Sequence, residues 1–351
     1  MSLKINPTCL KCSFSAFFLL LWLVGFNQTA SFSSADDVIT KNQKQLGNNM
    51  VLMISKDTIV VHQKEFGLDF KAKTQAPLGG ASQWLTAAMV MTFVDQGKIS
   101  LDDPVVKYIP SFAKYMKNYV TLRTCLAHST GIESGGHLST VFNKKYETLE
   151  EAIDAYASKE IANNPGKEIH FGPIGPAIAA RVCEVMAKKP FERLVQERIT
   201  RPCKMRMTNF VNLNGGAPNP SGGATTTAID FINFLTMILH KGVFEGKRIL
   251  SEAAVAEMEK AQFTGLPVKF TPKVAEGWSF GLGSWIQEKD GSGNAAVITS
   301  PGMYGVWPWI DRCRNYVAIL LVQNDLGEQK RDIYSKLKEA IDAELPAEKC
   351  R

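Results

Sequence analysis

Five histidines, His62, His128, His137, His170 and His240, are the first candidates for metal or acid–base chemistry. None stands at metal-ligand spacing from another, so no metal site is expected. His128 lies in Ala127-His-Ser-Thr-Gly, where it could serve as base for Ser129 or Ser300, but no Asp or Glu at informative spacing completes a triad. A hydrogen-bonded loop histidine is the plainer expectation. Tyr304 could move a proton, yet fits better as an aromatic wall, and Trp84, Trp278, Trp285, Trp307 and Trp309 are expected in the core or along a cleft. No cofactor is implied.

Seven cysteines offer redox chemistry only on paper. Cys9 and Cys12 form a CxxC inside what reads as a targeting segment, leaving Cys125, Cys183, Cys203, Cys313 and Cys350. Five cannot all pair, and their spacing fits no zinc site. Only chain position suggests a Cys313 to Cys350 bridge.

The elements that would position these groups follow from periodicity and punctuation. Met50 to Ile54, a turn at Lys56 and Asp57, and Thr58 to His62 read as a hairpin. A helix is expected from about Ala81 to Gln96, with Leu85, Ala88, Met89 and Phe93 on one face and Gly97 as its stop. Thr148 and Glu151 make a capping box for a helix ending near Ser158. Further helices are expected over Ile174 to Ala187, from Pro190 to near Ile199, and over Ala228 to His240 with Gly242 ending it. Strands follow over Trp278–Ile286, Ala295–Thr299, Val306–Asp311 and Tyr316–Gln323, then a closing helix over about Gln329 to Ala343. Strands at both ends with helices between them predict an α/β (α+β) fold. Its mixed, mainly antiparallel sheet is built from both termini and flanked by helices, with an all-helical insertion in the middle. The expected partition is 36–78 and 225–351 for the sheet part and 79–224 for the helical part.

Composition sets the bounds. The chain has 351 residues, 45% hydrophobic and 21% charged, enough for a large core without staples. Its net charge is +6, and setting aside Lys4 and Lys11 leaves +4 on the remainder, with no basic run to suggest nucleic-acid binding. Residues 1–35 read as an export signal: two lysines and no acid, an apolar stretch Phe14 to Phe26, then small polar residues with cleavage expected before Asp36. The protein is therefore expected to be exported, periplasmic or secreted, with no stable membrane span after cleavage; an uncleaved signal anchor is the alternative.

Gly80-Ala-Ser-Gln-Trp-Leu-Thr-Ala-Ala-Met-Val, Asp95-Gln-Gly-Lys-Ile-Ser-Leu-Asp-Asp-Pro-Val, Cys125-Leu-Ala-His-Ser-Thr-Gly-Ile, Gly222-Gly-Ala-Thr-Thr-Thr-Ala-Ile-Asp and Pro308-Trp-Ile-Asp occur in that order. Together they resemble the serine β-lactamase and penicillin-binding-protein family, which includes class C β-lactamases and related esterases, over about residues 45 to 340. The resemblance implies the β-lactamase/transpeptidase-like fold and three motifs. These are Ser-x-x-Lys at a helix start, where one turn brings amine to hydroxyl; Tyr-x-Asn or Tyr-x-Ser for proton shuttling; and Lys-Thr-Gly or His-x-Gly on an edge strand.

At each of those places this chain departs. Gly80 takes the serine place and Gln83 the lysine place; Phe171 and Pro173 replace tyrosine and asparagine; Ser300, Pro301 and Gly302 replace Lys-Thr-Gly, with only the glycine kept. Glycine offers no oxygen to acylate, a glutamine amide has no useful basicity, and phenylalanine has no phenolic proton. Ser82 is a poor substitute nucleophile, since it points away from Gly80 on a helix and has Leu85, not lysine, three positions on. The expectation is a fold that has lost its covalent chemistry and acts by ligand binding or protein interaction. The expected cleft comprises Gly80, Gln83, Phe171, Ser300, Gly302, Met303 and Tyr304. Backbone N–H groups of Gly80 and Met303 could still hold a small carboxylate, an ester or a peptidoglycan-like ligand. The rival expectation is an active esterase, amidase or β-lactamase-like hydrolase with relocated groups; a decayed copy without function is the third.

Overall fold

The computed structural model describes residues 31–133, 146–212, 215–302, 304–324, 326–327, 330–348 and 350. His137 and Met303, both named above, lie outside the described residues, as does most of the expected signal.

Helix α1 (Ser33–Asn42) is followed by the hairpin β1 (Met50–Lys56) and β2 (Ile59–Phe66), turning through the left-handed residues Asp57 and Thr58. Next come α2 (Ser82–Asp95), α3 (Leu122–Leu126), α4 (Leu149–Ala157), the two-residue strand β3 (Ile169–His170), α5 (Ile174–Ala187), α6 (Phe191–Val195), α7 (Ala228–Leu239) and α8 (Glu252–Glu259). The chain then forms β4 (Val268–Phe270), β5 (Ser279–Phe280), β6 (Trp285–Lys289), β7 (Ala295–Thr299), β8 (Trp307–Asp311), β9 (Tyr316–Val322) and α9 (Arg331–Glu344).

The main sheet runs β2-β1-β9-β8-β7-β6-β5, and every neighbouring pair in it is antiparallel. The expected joining of the two termini is seen inside it, one strand from the β2 edge: β1 lies against β9 with Met50 opposite Val322. The parallel pairing of β3 with β4 lies outside that sheet. All of β8 and β9 is buried, as befits strands covered on both faces. One cover is α7, which packs on β1, β8 and β9; the other includes α9 and α1, packed on each other, with Tyr334 of α9 stacked 4.1 Å from Trp307. Residues 32–351 form one compact unit.

Helix α2 differs from its expected one-sided pattern, because Ser82 through Phe93 are all buried. It is wedged among α5, α6 and α8, so every face meets protein. Gly97, at φ 64°, stops it as expected. The capping box of α4 is half formed: the Thr148 hydroxyl accepts from Glu151 N–H, whereas the Glu151 carboxylate accepts from Glu147 N–H, one residue early. The expected single strand over 278–286 is two strands broken by a turn. Gly283 there has φ 83°, and a Cβ on it would lie 2.8 Å from the Gln83 carbonyl oxygen. The close approach of this turn to α2 forces the break.

The cut expected before Asp36 would fall inside α1, whose Ala35 is buried together with the adjacent Phe32. Asp36 itself binds His62 Nε2 at 2.9 Å and Lys64 Nζ at 3.0 Å, tying α1 to β2.

Candidate functional site

Gly80 sits in a single 3-10 turn, Gly79–Ala81, that runs directly into α2. Its backbone is outside the left-handed region, and a Cβ built on it would meet nothing closer than the Pro301 carbonyl oxygen at 3.4 Å. A serine therefore fits where the glycine is. Pro301 belongs to the segment after β7, so the places of the first and third motifs do face each other. Gly302 is different, because a Cβ there would come within 2.2 Å of the Leu78 carbonyl oxygen. Its N–H donates to Val306 O at 2.8 Å, and its carbonyl accepts from Gly305 N–H at 3.0 Å. This glycine is kept because the backbone after β7 lies against the strand of chain that leads into α2.

One turn beyond Gly80, Gln83 is buried, with its Oε1 2.8 Å from His128 Nε2. The opposite ring nitrogen, Nδ1, accepts from Gly172 N–H at 3.3 Å. An acceptor at Nδ1 requires the proton on Nε2, so Nε2–H donates to the glutamine oxygen and both ring nitrogens are committed. Burial, assisted by His170 nearby, pulls the His128 pKa down to about 3, and the imidazole is neutral. His128 adopts φ 55°, and its carbonyl accepts from His170 N–H at 2.8 Å. A left-handed residue carrying three bonds is held, not free to swing.

Aromatic rings close the rest of the centre. Phe171, in the tyrosine place, lies 4.5 Å from the His128 ring and 5.3 Å from Trp285, while Phe280 lies 4.9 Å from His128 and 4.6 Å from Trp285. Pro173 caps α5, and its carbonyl accepts the Ser221 hydroxyl at 2.6 Å. Ser300 is buried and donates to Gly283 O at 3.2 Å. Tyr304 is half-buried in the turn before β8. A neutral amide, a neutral imidazole and aromatic rings thus make up this centre.

The substitute nucleophiles fare no better. The Ser82 hydroxyl is fully buried and accepts Ala224 N–H at 3.1 Å, a structural bond across to the segment before α7. Ser129 is buried beside His128 with no hydrogen-bond partner for its hydroxyl, and His128 has no free nitrogen to activate it. Among the described residues no three His, Cys, Asp or Glu side chains are grouped to hold a metal. Cys125, Cys183 and Cys203 are buried thiols with burial raising each pKa, while Cys313 and Cys350 are bonded to each other. Spacing alone could not reveal the Gln83–His128 bond, which joins residues far apart in the chain, nor the part played by Phe280 and Gly172.

A helix start, the entry to a second helix and the end of a strand inside the sheet converge on one point. The chain belongs to the beta-lactamase family, whose model matches residues 36–341. Protein Rv1367c of Mycobacterium tuberculosis (strain ATCC 25618 / H37Rv) is 21% identical over 319 residues, covering 74% of this chain and 79% of that protein. The D-alanyl-D-alanine-carboxypeptidase/endopeptidase AmpH of Escherichia coli (strain K12) is 22% identical over 250 residues, 64% of each chain. Among solved structures, a candidate beta-lactamase from Bacteroides dorei DSM 17855 superposes with TM-score 0.79 at 28% identity, covering 88% of this chain and 98% of that one. The octameric penicillin-binding protein homologue from Pyrococcus abyssi gives TM-score 0.73 at 19% identity, over 90% and 79%.

Proposed function

We propose that this protein is an exported member of the beta-lactamase family that has lost covalent serine hydrolysis and works by holding a ligand or a protein partner. The observation that carries this is the Gln83 Oε1 to His128 Nε2 bond of 2.8 Å. It turns the place of the general base into a buried, neutral, hydrogen-bonded pair, one helical turn from a glycine without a nucleophile. Loss of the nucleophile alone costs such hydrolases about a millionfold in turnover, and further losses in the same unit add little. Export is supported by the apolar run Phe14 to Phe26 and by the Cys313–Cys350 disulfide, a bond suited to an oxidising compartment. Among the described residues no helix is long and apolar enough to cross a membrane.

The test is labelling of the mature protein with a fluorophosphonate and a fluorescent penicillin, beside hydrolysis of a chromogenic cephalosporin and short p-nitrophenyl esters. No covalent adduct and no turnover above buffer are expected; either one would overturn the proposal. The converse test restores Gly80→Ser, Gln83→Lys, Phe171→Tyr and Pro173→Asn together. Space for a side chain on the Gly80 backbone and the helix-capping place of Pro173, where asparagine is favoured, suit two of the four changes, whereas Gln83→Lys gives up the bond to His128. Turnover is therefore read on a variant shown to be folded by circular dichroism, and ester hydrolysis by it would support the assigned places.

A further inference from the structure

The chain from 104 to 121 is a loop whose ends meet. Pro104 and Thr121 form an antiparallel bridge at its neck, and Val105 N–H donates to Val120 O at 2.8 Å. Inside, it has its own small core of Val105, Ile109, Phe112 and Val120, all buried, and one helical turn, Ser111–Lys114. A loop closed at the neck and packed from within holds a fixed surface without a strand or a long helix.

Its composition is one-sided. Residues 104–121 include Lys107, Lys114, Lys117 and three tyrosines, and no acid. Lys107 pairs with Asp103 at the neck, 3.0 Å away. Lys114 and Lys117 meet no carboxylate among the described residues; their amines lie instead 5.4 and 5.5 Å from the centre of one ring, that of Tyr115. Lys117 is only 3% exposed, and its amine donates no hydrogen bond to any described residue. Burial without a counter-charge pulls its pKa down. Two ammonium groups sharing one ring and lacking a partner make a seat for an anion.

Met116 and Tyr119 say what kind of anion. Met116 stands between the two halves of the seat in sequence, 78% exposed on a left-handed backbone of φ 53°, and Tyr119 is 52% exposed. A free phosphate ion has no use for either, and an acidic peptide offers no layer for an outward methionine to enter. Lysines beside an apolar side chain and an amphipathic tyrosine are the composition that rests on a layer of charged lipid headgroups.

We infer that loop 104–121 docks on the surface of a membrane containing anionic lipids, with Lys114 and Lys117 on a headgroup phosphate and Met116 and Tyr119 entering the headgroup layer. The contact is peripheral, adds no spanning segment, and does not depend on whether the centre at Gly80 and Gln83 can be acylated.

The experiment is co-sedimentation of the mature protein, freed of the apolar run Phe14 to Phe26, with vesicles of equal parts phosphatidylglycerol and phosphatidylcholine, and with vesicles of phosphatidylcholine alone. Binding to the anionic vesicles should exceed binding to the neutral ones about tenfold or more and fall as salt is raised. Lys114→Gln and Lys117→Met should each weaken it about fivefold, and Met116→Ser and Tyr119→Ser several-fold. Lys289→Gln, which removes an exposed lysine from β6, should leave it unchanged. Should Lys117→Met fold poorly, the variants at the exposed Lys114, Met116 and Tyr119 carry the test. No binding to anionic vesicles, equal binding to neutral ones, affinity undiminished in the loop variants, or a loss as large in Lys289→Gln would overturn the inference. So would competition by inorganic phosphate or polyglutamate at concentrations matched in charge to the vesicles, which would make the seat one for a free ion or an acidic chain.

Discussion

Gln83 Oε1 and His128 Nε2 are bonded to each other, so removing either leaves a buried polar atom without that partner. Gln83→Leu leaves the His128 Nε2–H without an acceptor in an apolar surround, and should cost about 1–3 kcal/mol in denaturant unfolding. Acid should reveal the same histidine. Its pKa is about 3 in the folded protein against an ordinary 6.5, so between these values the unfolded chain binds a proton that the folded one refuses. Stability from this group is therefore whole above pH 6.5 and falls as pH drops toward 3, by up to about 1.4 kcal/mol per pH unit. In His128→Gln, the pH dependence of unfolding over that window should flatten; an unchanged slope would show that the histidine titrates normally. The two glycines of the centre should respond oppositely. Gly80→Ser has room and should shift stability by less than about 1 kcal/mol, whereas Gly302→Ala drives a Cβ into the Leu78 carbonyl and should lose about 3 kcal/mol or fail to fold.

At the scale of elements, α1 makes the sharpest demand. Phe32 and Ala35 are buried, and Asp36 bridges to His62 and Lys64, so a mature chain beginning at Asp36 would lack the first turn of a packed helix. Under the export proposed above, intact-mass measurement of the processed protein should place its N-terminus at or before Phe32, and a chain trimmed to Asp36 should be less stable by about 2 kcal/mol or more. This helix is hidden in the sequence because Ser33, Ser34 and Ala35 suit peptidase cleavage as well as they suit a helix start. The hairpin β1–β2, helix α5 and strand β7 are legible, since local periodicity and turn residues decide them. Motif order in the sequence singles out Gly80, Gln83, Phe171 and Ser300, and the structure brings Gly80 to the Pro301 carbonyl and Gln83 to His128. What they do now is not legible, because the Gln83–His128 bond and the fit of Gly302 under Leu78 arise only when α2, the loop after α3 and the segment after β7 are brought together. The split of β5 from β6 escapes the sequence for the same reason: contact with α2 decides it, not the residues of the strand.

Across the whole molecule, the C-terminus is fastened back onto the sheet. Cys350 is bonded to Cys313 in the turn between β8 and β9, and Glu348 N–H donates to Cys313 O at 2.9 Å while Lys56 of β1 pairs with the Glu348 carboxylate at 2.6 Å. The disulfide closes a loop with a sequence separation of 37, which includes β9 and α9. Reduction, or Cys350→Ser, should lower stability by up to about 4 kcal/mol and reduce Tm, readable by calorimetry with and without a thiol. An unchanged Tm would mean that the tail contributes nothing beyond its own anchoring.

The register of β1 against β9 has a consequence in time. Met50 is made early, but its partner Val322 arrives only when nearly all of the chain has followed. The hairpin β1–β2 can form alone, yet a lone hairpin is marginal in water, and the inner edge of β1 has no partner until β9 emerges. A nascent chain is thus without its β1–β9 pair until β9 has been made. Until then that edge stands open to mispairing, and β9 closes it on both sides at once, against β1 and against β8.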